Sequence, residues 1–139
     1  MSLVRLVYAS ESRLVEVNRR MELARMLATA QRLNADNHVT GFLLATPGAF
    51  AQVLEGEAEN VAETYGRIVV DPRHANLRLL AREPIERRSF ADWSMALSEQ
   101  DETNDFIFSL YGVTPEADLY AQPTDTLLDL AGELASQIR

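Results

Sequence analysis

The chain has 139 residues, a net charge of −8 at pH 7, 47% hydrophobic and 24% charged residues. That fits one domain able to bury roughly two thirds of its unfolded surface. It contains no cysteine and only two histidines, His38 and His74, which excludes disulfides, thiolate zinc sites, thiol nucleophiles, flavin–cysteine photochemistry and a histidine-rich metal site. The acidic balance argues against general nucleic-acid binding.

No apolar run approaches the roughly 18 residues of a membrane span, and MSLVRLVYAS lacks the apolar block of a secretion signal. A cytoplasmic protein is expected. Charge is unevenly placed: residues 1–99 carry 12 arginines against 13 acids, a net of −1, and residues 100–139 carry 8 acids and one arginine, a net of −7. The expected division is a domain over 1–98 followed by an acidic helical extension over 99–139.

In chain order, LVRLVYAS alternates with Val4, Leu6 and Tyr8 on one face, a half-buried strand. Val15 to Leu33 has a helical pattern, with Val17, Met21, Ala24, Leu27 and Ala28 expected inward. HVTGFLLATPGAFAQVLEG holds two strands around Pro47-Gly48. Glu57 to Val70 is a second helix, with Val61, Tyr65, Ile68 and Val69 inward and Asp71-Pro72 as its stop. Leu77 to Pro84 and Trp93 to Ser98 are further strands, and 102–111 and 124–138 look helical.

The order βαββαββ fits an α+β, ferredoxin-like sheet with both helices on one face. Leu127, Leu128, Leu130, Leu134 and Ile138 give the last helix an apolar stripe, which needs either the other sheet face or another subunit.

The chain has no GxGxxG, Walker loop, GxSxG or HExxH motif, so a standard hydrolase or dinucleotide-fold enzyme is not expected. The polar residues that stand out lie on the helix-facing side of the sheet. In FAQVLEG, Gln52 falls on one face with Phe50 and Leu54. Burying an unpaired amide costs roughly 1–3 kcal/mol, so Gln52 is either solvent-facing or buried with a specific partner. Tyr8 and Gln52 could aim a phenol and an amide at one place. Met26, Ala30 and Asn34 share a helical stripe. Each also has an ordinary explanation: a buried tyrosine bonded to a carbonyl, a helix-end cap, core packing.

Taken together, LVRLVYAS, RLNADNHVTGFLL, GAFAQVLEG, DPRHANLRLLAREPI and RRSFADWSMAL resemble, in order and spacing, the BLUF family of FAD-binding blue-light sensors. The resemblance covers nearly all of residues 1–98. It implies noncovalent FAD with its ring between the two helices, Met26 and Ile68 as apolar walls and Asn34 on the polar edge of the ring. Arg73 and His74 match positions near the ribityl and phosphate end.

Gln52 resembles the family's switch glutamine, between the phenol of Tyr8 and the flavin. The implied photochemistry is loss of an electron and a proton from Tyr8 followed by rearrangement of Gln52, which shifts absorption to the red. Trp93 and Met95, with Leu97 on one strand face, match a signalling pair that competes for the place beside the glutamine.

Two positions depart from the family pattern: Ala45, where many members carry an aromatic, and Leu33, where some carry a polar residue. The length leaves no room for a fused output domain, so a separate effector protein is the expected partner. A homo-oligomer built on the sheet or the C-terminal helices is also expected, with no nucleic acid and no membrane. The competing classes are a small enzyme on the same fold and a flavin-free interaction module.

Overall fold

The computed structural model describes residues 2–138. Five strands, β1 (Leu3–Ser12), β2 (Thr40–Ala45), β3 (Ala49–Glu57), β4 (His74–Pro84) and β5 (Ala96–Glu99), form one sheet in the order β4-β1-β3-β2-β5. All neighbours are antiparallel except β2 and β5, which run parallel. The helices are α1 (Arg19–Asp36), α2 (Ala58–Val69), α3 (Asp105–Leu110) and α4 (Thr124–Gln137). This is the expected α+β, ferredoxin-like sheet with C-terminal helices added. Among the described residues no helix is long and apolar enough to cross a membrane.

Alternation along the strands divides the core in two. Val4, Leu6, Tyr8, Leu43, Phe50 and Leu54 face α1 and α2. Val7, Phe42, Leu44, Ala51 and Val53 face the opposite way and pack against Ile107 and Phe108 of α3 and Leu127, Leu130 and Leu134 of α4. The sheet's own second face therefore partners the apolar stripe of α4; Leu128 is half-buried and Ile138 exposed. Central strand β3 is buried from Ala49 to Gly56, so every side chain on it has to be satisfied internally.

Helix α1 presents a different face from the one expected. Val17 is 92% exposed, Met21 55%, and Ala24 and Ala28 are exposed as well. The stripe of Leu23, Met26, Leu27, Ala30 and Asn34 faces the sheet instead. This helix has apolar residues on both sides, so periodicity alone does not choose between them. The α-helix starts later than expected, after a 3-10 turn over Glu16–Asn18, and continues to Asp36. On α2, Val61, Thr64, Tyr65 and Ile68 turn inward, whereas Val69 is 48% exposed.

The last strand is also shorter than expected. Trp93 and Met95 precede it, and with a bend at Ser94 they fall on opposite sides of the sheet. Trp93 packs with the α3–α4 core, edge-on to Phe42 at 5.9 Å between ring centroids, and Met95 joins the α1–α2 core. Side chains at i and i+2 share a face only in a continuous strand, and this segment is not one.

If α3 and α4 are integral to the fold, Phe108→Ala should destabilise the whole chain by about 3–5 kcal/mol in denaturant unfolding. An unchanged midpoint would show that the C-terminal helices fold apart from the sheet.

Candidate functional site

The antiparallel register of β1 and β3 places Tyr8 directly opposite Gln52, on the face toward α1 and α2. The Tyr8 hydroxyl donates to Gln52 Oε1 at 2.5 Å. The other end of the same amide, Nε2, donates to the Met95 thioether sulfur at 3.3 Å. A thioether only accepts and a phenol can donate, so this is the amide orientation that satisfies both neighbours. Gln52 is 5% exposed and Met95 1%: the glutamine is buried with specific partners.

Burial holds the Tyr8 phenol far above the ordinary tyrosine range, and Tyr65 and Asp71 push the same way. It therefore stays protonated and remains a donor. The Tyr65 ring lies 5.6 Å from it and the His74 ring 6.1 Å.

His74, at the start of β4, has both ring nitrogens engaged. Nε2 lies 2.8 Å from the Ile68 carbonyl oxygen and Nδ1 2.8 Å from the Ser10 hydroxyl. A carbonyl only accepts, so Nε2 carries a hydrogen. The ring ties β1, β4 and the end of α2 together. Arg73 chelates Asp71, with its Nη2 2.7 Å from Oδ2. Burial pushes the Asp71 carboxyl up, but the hydrogen bonds and charge of Arg73 outweigh it and leave the group below its usual range.

A single cleft opens between α1, α2 and the helix-facing side of the sheet, lined by apolar side chains with a few convergent polar groups, the character of a small-molecule or cofactor site. Helix α1 contributes Met26, Ala30, Leu33 and Asn34, and α2 contributes Thr64, Arg67 and Ile68. The sheet adds Tyr8, Leu43, Gln52 and His74, and the turn after α2 adds Asp71 and Arg73. The structure thus gathers Tyr8, Met26, Asn34, Gln52, Ile68, Arg73 and His74 in one place. Met95 touches it through Gln52, and Trp93 lies across the sheet.

Asn34 is 2% exposed, and its Nδ2 donates to the Ser94 carbonyl at 2.9 Å. Its second amide hydrogen and its carbonyl oxygen are what it can offer a ligand. Sequence reasoning missed Thr64, Arg67 and Asp71. Thr64 lies one turn before Ile68 and Asp71 just before the two basic candidates, so spacing from residues already singled out could have found them.

The family model for sensors of blue light using FAD matches residues 3–96. The chain belongs to the BLUF family. Domains of this family are sensors of blue light rather than catalysts. The chain is 34% identical over 83 residues to the photoactivated adenylate cyclase subunit beta of Euglena gracilis, a match covering 59% of the chain and 10% of that protein. It thus spans about a tenth of that relative's length.

Among solved BLUF structures, BlsA in its ground state matches with a TM-score of 0.83 and 30% identity, over 95% of this chain and 87% of the other. BlrB in its dark state matches with a TM-score of 0.77 and 25% identity, over 96% and 97% of the two chains.

BLUF domains bind flavin, and this cleft fits one. Met26 and Ile68 offer apolar surface to a flat ring, Asn34 and Gln52 offer amide donors and acceptors, and Arg67 and Arg73 supply cations.

Because the folded state holds the Tyr8 phenol up, its contribution to stability is complete below the unfolded tyrosine value near 10. Above that, unfolded chains lose the proton while folded ones keep it, so stability falls as pH rises, by about 1.4 kcal/mol per pH unit for this group. Denaturant unfolding between pH 9 and 11.5 should show that slope, and Tyr8→Phe should remove about one proton's worth of it. An identical slope in the variant would contradict the assignment.

Proposed function

We propose that this chain binds FAD noncovalently in the α1–α2 cleft and passes a light-induced change in Gln52 through residues 93–95 to a separate effector protein. The observation that carries the proposal is the buried chain of bonds from the Tyr8 hydroxyl to Gln52 to the Met95 sulfur. Bound flavin supplies absorption of blue light and an excited state that accepts an electron.

Tyr8 is the donor: it would give an electron to the excited flavin and its hydroxyl proton to the Gln52 oxygen it already bonds, and both would return to it when the pair recombines. Gln52 is the switch, since its amide has a donor end and an acceptor end of nearly equal size and can exchange them at small steric cost. Asn34 would offer its amide to a bound flavin's polar groups, and Met26 and Ile68 would offer apolar surface to the flat ring. Support for the dinucleotide comes from two guanidiniums, Arg67 and Arg73, at the α2 end of the cleft; His74 positions that end from beneath. Chromatography of the flavin released on denaturation distinguishes FAD from FMN.

Residues 93–95 connect the switch to the surface helices. Met95 meets Gln52 in one core and Trp93 meets Phe42 in the other, so a change at the amide reaches the α3–α4 side without a change of fold. BlsA in its photo-activated and ground states matches this chain about equally, with TM-scores of 0.82 and 0.83. The effector surface in this reading is the acidic C-terminal region, residues 99–139, where Phe106 and Leu110 are 61% and 76% exposed. Both sheet faces are covered by helices, so self-association would use helix surfaces or sheet edges. A cytoplasmic location belongs to the same reading.

Absorption spectra in darkness and under blue light test the core of the proposal. The expected result is a flavin band that moves reversibly to the red. Tyr8→Phe should stay yellow but lose the normal red-shifted state, and photoswitching like wild type would rule Tyr8 out as donor. Gln52→Leu should bind flavin and show no red shift; a normal shift there would remove Gln52 from the mechanism.

A further inference from the structure

Three consecutive carbonyls in the segment before β5 are each held by a different donor. The Gly41 amide on β2 donates to the Trp93 carbonyl at 3.2 Å. Asn34 Nδ2 donates to the Ser94 carbonyl at 2.9 Å, and Gln31 Nε2 to the Met95 carbonyl at 3.0 Å. The segment is a bend with no ladder of its own at Ser94 and Met95, so those two carbonyls depend on side chains of α1. Gln31 is exposed and does not line the cleft. It nevertheless grips the backbone of the residue whose sulfur receives the Gln52 amide.

We infer that Gln31 is a positioning residue for the photocycle: it holds Met95 where the rearranged Gln52 amide must return, and so sets the rate of dark recovery. This rests on the switch role proposed for Gln52. In the dark arrangement Met95 is fixed twice, at its sulfur by Gln52 and at its carbonyl by Gln31. When Gln52 rearranges and takes its N–H from the sulfur, the backbone tethers alone keep the acceptor in place. A preplaced acceptor spares the return step the cost of reordering a flexible thioether side chain. Asn34 shares this task, but it also lines the cleft, so Gln31 is the member of the pair whose loss leaves the cleft wall unchanged.

The test uses the full-length, flavin-loaded protein with Gln31→Leu and Gln31→Glu, which remove the donor while keeping good helix formers on an exposed position, and Gln31→Lys, which restores one. Two quantities are read: decay of the red-shifted band in darkness, and amide hydrogen exchange across residues 95–98 in the dark state. Loss of one net hydrogen bond predicts recovery slowed about three- to tenfold in the Leu and Glu variants. Flavin content and dark band position should be unchanged, exchange at 95–98 should be faster, and Lys should bring recovery back to within about twofold of wild type.

Recovery within about twofold of wild type in both donor-less variants, with unchanged exchange, would overturn the inference. Slowed recovery that Lys fails to restore would overturn it too, since the effect would then not be the lost donor. If wild type itself shows no reversible red shift, the switch reading of Gln52 fails and this inference about dark recovery fails with it. Faster exchange in the donor-less variants would then establish the tether as structure alone.

Discussion

A primary amide buried in a central strand is the constraint around which the rest is arranged. Gln52 has neighbours on both sides in the sheet and is only 5% exposed, so each end of its side chain needs a partner. The acceptor end obtains one only because the β1–β3 register sets Tyr8 opposite. A slip of one residue would send Tyr8 to the α3–α4 core and bring Val7 or Ala9 across from the amide. The donor end obtains one only because Met95 reaches over the edge of β2.

That reach depends on Gly41, where an added Cβ would stand 2.0 Å from the Val53 carbonyl oxygen and 3.1 Å from the Met95 methyl. A side chain there would part β2 from β3 and displace the methionine together. The amide's two bonds thus fix a register, a glycine and the path of the chain before β5.

The same geometry explains how a small change at one amide can be felt at a distance. Most of the sheet separates its two cores cleanly, because alternation sends neighbouring residues to opposite faces. The bend at Ser94 breaks that rule by two residues, and Trp93 and Met95 become members of different cores joined by a single intervening residue. Close-packed cores do not absorb displacement continuously. A shift at Met95 is therefore passed to Trp93, to the Phe42 ring edge-on to it at 5.9 Å, and to the Phe90 ring tilted against Phe42 at 5.8 Å.

Much of this was legible in the residues. The strand alternation that grouped Val4, Leu6 and Tyr8, and likewise Phe50, Gln52 and Leu54, has its counterpart in the structure, because the β1–β3 pairing runs without a register shift from Leu3 opposite Glu57 to Glu11 opposite Ala49 and turns both sets to the same side. The stripe of Met26, Ala30 and Asn34 was visible at helical spacing. What misled was chemistry that periodicity weighs equally. Val17, Met21, Ala24 and Ala28 form as regular an apolar stripe as the buried one, and the face is decided by what Asn34 and Gln31 can bond to on the segment before β5. The alternation of Trp93, Met95 and Leu97 suggested one strand, but the carbonyls of 94 and 95 are taken by side chains rather than by a neighbouring strand. Gln31 carries no pattern at all; only the backbone it reaches gives it meaning.

The segment between Phe90 and Ala96 is anchored firmly at one end and adjustably at the other. Upstream, the Glu55 carboxylate is fully buried on the same strand as Gln52. It accepts from the Ser89 and Phe90 amides at 2.9 and 2.8 Å and pairs with Arg5 at 2.8 Å. Breaking such a buried charged network leaves an uncompensated charge and costs several kcal/mol, so that end does not move at the scale of a photochemical switch. Downstream, β5 is a four-residue edge strand with a single parallel neighbour, β2. Side chains tie it to α1 at its two ends: Asn34 and Gln31 at Ser94 and Met95, just before the strand, and Arg19 at Glu99, its last residue. One net hydrogen bond is worth about 1 kcal/mol, so each tie can be exchanged without unfolding anything. A rigid anchor beside a set of weak, separable ones confines any rearrangement to the residues that border both Gln52 and the second core.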